Sequence, residues 1–195
     1  DVIERCLQAV LAQELDRHLE AFVGAAERLS AARPSLRPVL AVAPGVDASR
    51  FAQTGIPTTT ETRALLHAAR AAIVKSGTST LEAALAGVPF AMAYRTSAIT
   101  WLVAKRVVRV DHIALANLVV DRRVVPELLQ GDVTPEKLAA AVAPLLEEGP
   151  ARGSMLEGLD EVRRRLAGPG ASARVAEMVL ELLGTGVSTG RDGAE

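Results

Sequence analysis

Three short apolar runs without polar alternation dominate the first half of this chain: "PVLAVA" at Pro38 to Ala43, "AAIV" at Ala71 to Val74 and "PFAMA" at Pro89 to Ala93. A strand with one wet face alternates polar and apolar residues. A strand covered on both faces of a parallel sheet reads instead as a continuous apolar run. Helical patterns lie between these runs. Leu15, Leu19, Phe22, Val23, Ala26 and Leu29 recur at helical spacing, which predicts an amphipathic helix over about Gln13 to Ala32, stopped before Pro34. Further helices are predicted over about Glu61 to Arg70 and Ser79 to Ala86, the second ended by Gly87. The order α-β-α-β-α-β predicts an open α/β sheet covered by helices.

The second half reads as mostly helical. "RTSAITWLVAKRVV" predicts a helix and "DHIALANL" a short strand and loop. "DVTPEKLAAAVAPLL" predicts a helix with Thr134 as N-cap and Pro135 at its first position, turning Leu138, Val142, Leu145 and Leu146 inward. Met155, Leu159, Val162 and Leu166 form one later stripe, and Val175, Met178, Val179, Leu182 and Leu183 another, separated by the breaker at Gly168 to Gly170. The polar, Gly-rich tail of residues 184–195 is expected to be disordered.

Composition narrows the function. With 195 residues, 49% hydrophobic and 23% charged, the chain suits one globular domain or a tightly joined pair. A net charge of −1 excludes the basic footprint of a general nucleic-acid binder. The single cysteine, Cys6, excludes an internal disulfide framework and a cysteine-rich zinc site, as expected of a cytoplasmic protein. No apolar run reaches the roughly 20 residues that span a bilayer. The first residue is Asp, so the chain is expected to be a segment of something longer.

The stretch "KSGTSTLEAALAGVPFAMAYR", Lys75 to Arg95, carries the chemistry. In a parallel α/β sheet, ligands bind at the carboxyl ends of strands, where Ser76 to Thr80 fall. Gly77 lets a ligand approach the backbone, and the amides and hydroxyls of a helix start suit a phosphate or pyrophosphate. Glu82 can accept from two vicinal hydroxyls, as in holding a ribose. The alternative is a capping box, since Ser79 and Glu82 fit S-x-x-E. Neither G-x-G-x-x-G nor G-x-x-x-x-G-K-[ST] occurs, which disfavours dinucleotide dehydrogenases and P-loop ATPases.

That stretch, followed by "WLVAKRVVRVDHIALANLV" and "VVPELLQGDVTPEKLAAAVAPLL", resembles the C-terminal half of the lipid-A-disaccharide synthase family over about Gln13 to Leu183. The resemblance implies a Rossmann-like parallel sheet with a helical C-terminus, the donor-nucleotide half of an inverting GT-B glycosyltransferase. It divides the chain into an atypical segment, residues 1–12, the nucleotide-sugar domain, residues 13–183, and the tail. The implied reaction moves 2,3-diacylglucosamine from its UDP carrier to 2,3-diacylglucosamine 1-phosphate and releases UDP. No cofactor or metal is implied. Ser76, Gly77 and Thr78 would line the diphosphate and Glu82 the ribose. Asn117, in "LANL" where the family has L-P-N-L, would lie near the interdomain cleft and is the one candidate catalytic group. Glu127 and Gln130, in "PELLQ", either orient the donor or cap a helix. The family's base candidate lies in the other domain, so the chain alone is expected to be inactive.

Other residues are weighed beside these. Arg95 and Arg122 are the cations nearest the motifs, with a surface salt bridge as the ordinary reading for each. His18, on the polar side of the first helix, His67 and His112 are read as surface or structural. Trp101, Lys105, Arg106 and Arg109 are a candidate contact with an anionic inner-membrane surface, and the last apolar stripe a candidate homodimer face. One departure is sharp. The family's L-P-G-S-R turn is missing before "QELDRHLE", and "DVIERCLQAVLA" reads as helical rather than as a buried strand. Loss of that central strand and its arginine predicts weak or no UDP binding. The alternatives are a GT-B transferase for another UDP-hexosamine and a catalytically silent nucleotide- or partner-binding domain.

Overall fold

The computed structural model describes residues 5–10, 15–43, 46–97, 100–101, 111–167 and 171–184. Six strands form one sheet: β1 (Arg5–Val10), β2 (Arg37–Val42), β3 (Thr58–Thr59), β4 (Ala71–Lys75), β5 (Phe90–Tyr94) and β6 (Glu127–Leu129). Their order is β3-β2-β1-β4-β5-β6, and every neighbouring pair is parallel. Sequence reading finds β2, β4 and β5 to within about two residues. Continuous burial of Ala71 to Val74 and of Phe90 to Ala93 explains why those runs lack alternation.

Within the first twelve residues, the described part corrects the expectation of a helix. Arg5–Val10 is a strand at the centre of the sheet, paired with β2 from Arg5↔Arg37 to Val10↔Val42 and with β4 from Cys6↔Ala71 to Ala9↔Val74. Backbone pairing on both sides outweighs a local helical pattern. The sheet therefore keeps its central member.

Seven helices among the described residues cover the sheet. They are α1 (Leu15–Ala32), α2 (Thr62–Ala68), α3 (Thr78–Ala86), α4 (Leu115–Val120), α5 (Pro135–Val142), α6 (Pro150–Leu166) and α7 (Ala171–Gly184), with 3-10 turns at Ala48–Thr54, Gln130–Asp132 and Ala143–Leu145. α1 and α5 pack together over β1, β2, β4 and β5, while α2, α3, α4 and α6 form the second layer. Phe22, Leu40, Ile73, Phe90, Met92, Leu138 and Leu159 fill the space between and are almost fully buried. As expected, Thr134 caps α5, its side chain accepting from the Lys137 amide at 3.3 Å, with Pro135 in the first turn.

α4 is a second correction. "DHIALANL" leads into a helix instead of a strand, because short apolar runs do not distinguish the two and Glu127, ten residues beyond Asn117, holds the helix entry. The sequence reading also passes over β3 and β6. Val175, Met178, Val179 and Leu180 of α7 are exposed. Most of the predicted 95–108 helix, the breaker and residues 185–195 of the tail lie outside the described residues, although Thr100 and Trp101 are helical, as predicted, and Gly184, the first residue of the tail, ends α7.

The seam between α1 and α5 gives one stability prediction. A Cβ on Gly24 would sit 2.9 Å from Cγ and 3.0 Å from Cβ of Pro135. Alanine raises helix propensity by about 1 kcal/mol, but overpacking costs about 1–3 kcal/mol and a proline ring cannot swing aside. Gly24→Ala is expected to lower the urea midpoint, and a raised midpoint would show that the two helices part freely.

Candidate functional site

Strand order reverses between β1 and β4, which opens a crevice at their carboxyl ends. β4 ends at Lys75, and Ser76 and Gly77 turn the chain into α3. The Ser76 amide donates to the Ala93 carbonyl of β5 at 2.9 Å, which fixes where the turn leaves the sheet. Gly77 has φ +136° and ψ −163°, a conformation essentially confined to glycine. Fully buried Thr80 donates from Oγ1 to the Gly77 carbonyl at 2.7 Å, and its amide donates to the same oxygen at 3.1 Å. Both bonds pin the carbonyl toward the helix. Thr80 thus serves the fold, a role that its apolar surroundings in "TSTLEAALA" foreshadow.

The capping-box alternative is not realised. α3 starts at Thr78 with Gly77 as N-cap and no side-chain capping bond, so Ser79 already lies inside the helix. A helix start leaves its first amides without intrahelical partners. Here Gly77 and Thr78 are exposed and Ser76 half-buried beside them. Glu82 is exposed one turn further on. It lines a groove of about 620 Å³ with Thr60, Glu61, Arg63, His67 and Leu85 among its walls. The predicted quartet Ser76, Gly77, Thr78 and Glu82 therefore occupies one end of one helix at the sheet's switch point.

Asn117, Glu127 and Gln130 are bonded to neighbouring parts of the fold. Asn117 is fully buried. Its Nδ2 donates to Glu127 Oε1 at 2.8 Å and to the Val125 carbonyl at 3.0 Å, and its Oδ1 accepts from the Val124 and Val125 amides at 2.8 and 2.9 Å. Two donors and two acceptor sites are all that a carboxamide has, so the side chain is committed to the fold. The Glu127 carboxylate also accepts from the Ile113 and Ala114 amides at 3.1 and 2.9 Å. Those two amides lie at and just before Ala114, the N-cap of α4. Gln130 stands at φ +50°. With its amide oriented to match its neighbours, it bridges the Thr96 amide and carbonyl at 3.2 and 3.1 Å.

The two arginines are engaged as well. Arg95 donates from Nη2 to the Val133 carbonyl at 2.6 Å and from Nε to the Gln130 carbonyl at 3.3 Å, strapping β5 to the turn after β6. Arg122 makes the expected surface pair with Glu161 at 2.5 Å, and that hydrogen bond holds the Glu161 carboxyl below its ordinary range. His18 is not on a polar face. It is fully buried, its Nε2 accepts from the Arg95 amide at 2.9 Å, and its ring meets Phe22 edge-on. His67 is exposed in the groove wall, and His112 is half-buried. Among the described residues no three His, Cys, Asp or Glu side chains gather to hold a metal, and no helix is long and apolar enough to cross a membrane.

Six parallel strands in this order, with a glycine turn at the switch point, define a Rossmann-like, doubly wound domain. The fold is shared with the kitacinnamycin glycotransferase, at a TM-score of 0.60 and 23% identity over 93% of this chain and 43% of that one. It is shared equally with the calicheamicin glycosyltransferase CalG4, at 0.60 and 19% over 96% and 44%. A family model described as lipid-A-disaccharide synthetase matches residues 3–167, and the chain belongs to that family. The match takes in residues 3–12. The lipid-A-disaccharide synthase of Myxococcus xanthus is 46% identical over 180 residues, covering 89% of this chain and 47% of the relative. That of Acidobacterium capsulatum is 48% identical over 139 residues, covering 70% and 35%. The chain thus spans about half the length, or less, of these relatives.

Proposed function

We propose that this chain is the donor-nucleotide half of a lipid-A-disaccharide synthase. It holds UDP-2,3-diacylglucosamine by its UDP end while the acceptor, 2,3-diacylglucosamine 1-phosphate, is met by the rest of the cleft. The turn at Gly77 carries this reading: exposed amides at an uncapped helix start, at the switch point, one turn before an exposed carboxylate. Ser76, Gly77 and Thr78 receive the diphosphate, and Glu82 the ribose hydroxyls. In the transfer, the acceptor hydroxyl oxygen bonds to the donor's anomeric carbon as the bond to the β-phosphate oxygen breaks. The electron pair leaves with UDP, and the hydroxyl proton passes to a base that we place outside this chain. What this half supplies is stabilisation of the charge that grows on the diphosphate. Asn117, Glu127 and Gln130 act at one remove, as positioning residues. The exposed stripe on α7 is the surface this reading offers to a partner.

UDP titration followed by amide chemical shifts tests the reading. Saturable shifts are expected at Ser76 to Thr78 and at Glu82, with a dissociation constant near or above about 1 mM, because the sequence has no Gly-Ser-Arg turn. Uridine is expected to move Glu82 but not Ser76 to Thr78. Silence across residues 76–82, or equal shifts with uridine and UDP, would overturn the assignment.

A further inference from the structure

Where a strand leaves its sheet, the next backbone groups need partners from elsewhere. β5 pairs with β4 as far as Lys75↔Ala93 and with β6 as far as Tyr94↔Leu129, so Arg95 lies one step beyond the last ladder pair. Ladder groups on successive residues face alternate neighbours. The Met92 amide turns to the β6 side and donates to the Pro126 carbonyl at 2.9 Å, whereas the Ala93 carbonyl turns to the β4 side and accepts from the Ser76 amide. By that alternation the Arg95 amide is the next group to face β4. There the chain has already turned off at Gly77 to begin α3. The acceptor that Arg95 meets is instead Nε2 of His18, at 2.9 Å, from the first turn of α1 and 77 residues away in the chain.

His18 is fully buried, with its ring edge-on to Phe22. A leucine would fill such a place without taking a polar nitrogen out of water, so the histidine is explained by the bond it makes. We infer that His18 is a positioning residue for the donor diphosphate: its imidazole supplies the acceptor that β4 withdraws when the chain turns at Gly77, and so holds the end of β5 on which that turn is seated. This rests on the proposed nucleotide site and deepens it. The connection is short. Only Tyr94 separates the Arg95 amide from the Ala93 carbonyl, which holds the Ser76 amide, and Ser76 directly precedes Gly77. On its other side the Arg95 guanidinium is bonded to the carbonyls of Gln130 and Val133. The residue is therefore held between α1 and the turn after β6, and losing the first hold leaves the second to draw the segment aside.

His18→Leu fills the space and removes the acceptor. Its UDP affinity is expected to fall about fivefold or more, the size of one lost hydrogen bond, while uridine affinity stays unchanged because Glu82 stands further along α3. Solvent exchange of the Ser76 amide is expected to quicken in the same variant without any nucleotide present. His18→Gln sets an amide oxygen where Nε2 stands and is expected to recover both the affinity and the slow exchange. His18→Asn carries the same amide one carbon short and is expected to recover neither. All three lose the ring's contact with Phe22, so that contact does not divide them. Urea unfolding checks that each variant is folded. Equal UDP affinity and equal Ser76 exchange in the parent and His18→Leu, or in His18→Gln and His18→Asn, would overturn the role of His18 and leave the nucleotide site standing. A parent chain in which UDP moves no signal at residues 76–82 would overturn both.

Discussion

Asn117→Ala is expected to destabilise the chain by about 3–5 kcal/mol, the largest loss from any single substitution considered. The side chain joins four groups: the Val124 and Val125 amides, the Val125 carbonyl and the Glu127 carboxylate. Each buried polar group stripped of its partner costs about 1–3 kcal/mol. Glu127 and Val124 are half-buried, so water replaces part of what they lose, whereas Val125 is fully buried and recovers little. The loss also spreads, since Glu127 is the group that receives the Ile113 and Ala114 amides at the entry to α4. Against a total stability of about 5–15 kcal/mol, the variant stands near the edge of folding. Asn117→Asp separates charge from shape. It keeps an acceptor for the two amides but sets a second carboxylate where the amide nitrogen lay 2.8 Å from Glu127 Oε1. Its deficit should shrink as pH falls and one carboxylate takes a proton. Urea unfolding followed by circular dichroism reads both variants, and a loss below about 1 kcal/mol in Asn117→Ala would show that α4 does not depend on this hub.

That hub also marks where sequence reasoning stopped. β2, β4 and β5 were legible because strands buried on both faces carry their environment in every residue. α1, α3 and α5 were legible from periodicity and from local stop or cap signals such as Pro34, Gly87 and Thr134. β1 was not, because its six residues owe their extended form to β2 on one side and β4 on the other, partners about 30 and 65 residues away. α4 was hidden for a related reason: its entry is held by Glu127, which lies beyond the helix in the chain. The site divides along the same line. Ser76 to Thr78 and Glu82 are near neighbours on one turn and one helix, so spacing brought them together. Asn117 and Glu127 had the polar chemistry of ligands, and only burial distinguishes a side chain whose bonds are spent inside the fold from one that offers them outward.

Gly77→Ala is expected to abolish the nucleotide-dependent shifts at residues 76–82 while costing about 1–3 kcal/mol of stability, the range for a residue held in a sparsely populated backbone region. No heavy atom lies within 4 Å of the added Cβ, so overlap with the rest of the protein plays no part. What remains is backbone strain at φ +136°. The chain can bear that strain in place or relax the turn toward negative φ. Relaxation moves the Gly77 carbonyl off Thr80 and swings the adjacent amides away from the crevice, removing the anion-facing array itself. Gly55 supplies the control. It too has positive φ, +65°, with open space around it, and it lies in the turn before β3. Gly55→Ala is expected to cost about 1–2 kcal/mol and to leave the UDP shifts intact. Equal loss of UDP response in both variants would trace the effect to general loosening of the sheet. Loss confined to Gly77→Ala would tie nucleotide binding to this one turn, because both substitutions add a methyl group at a positive φ with open space around it and only one of them stands at the crevice.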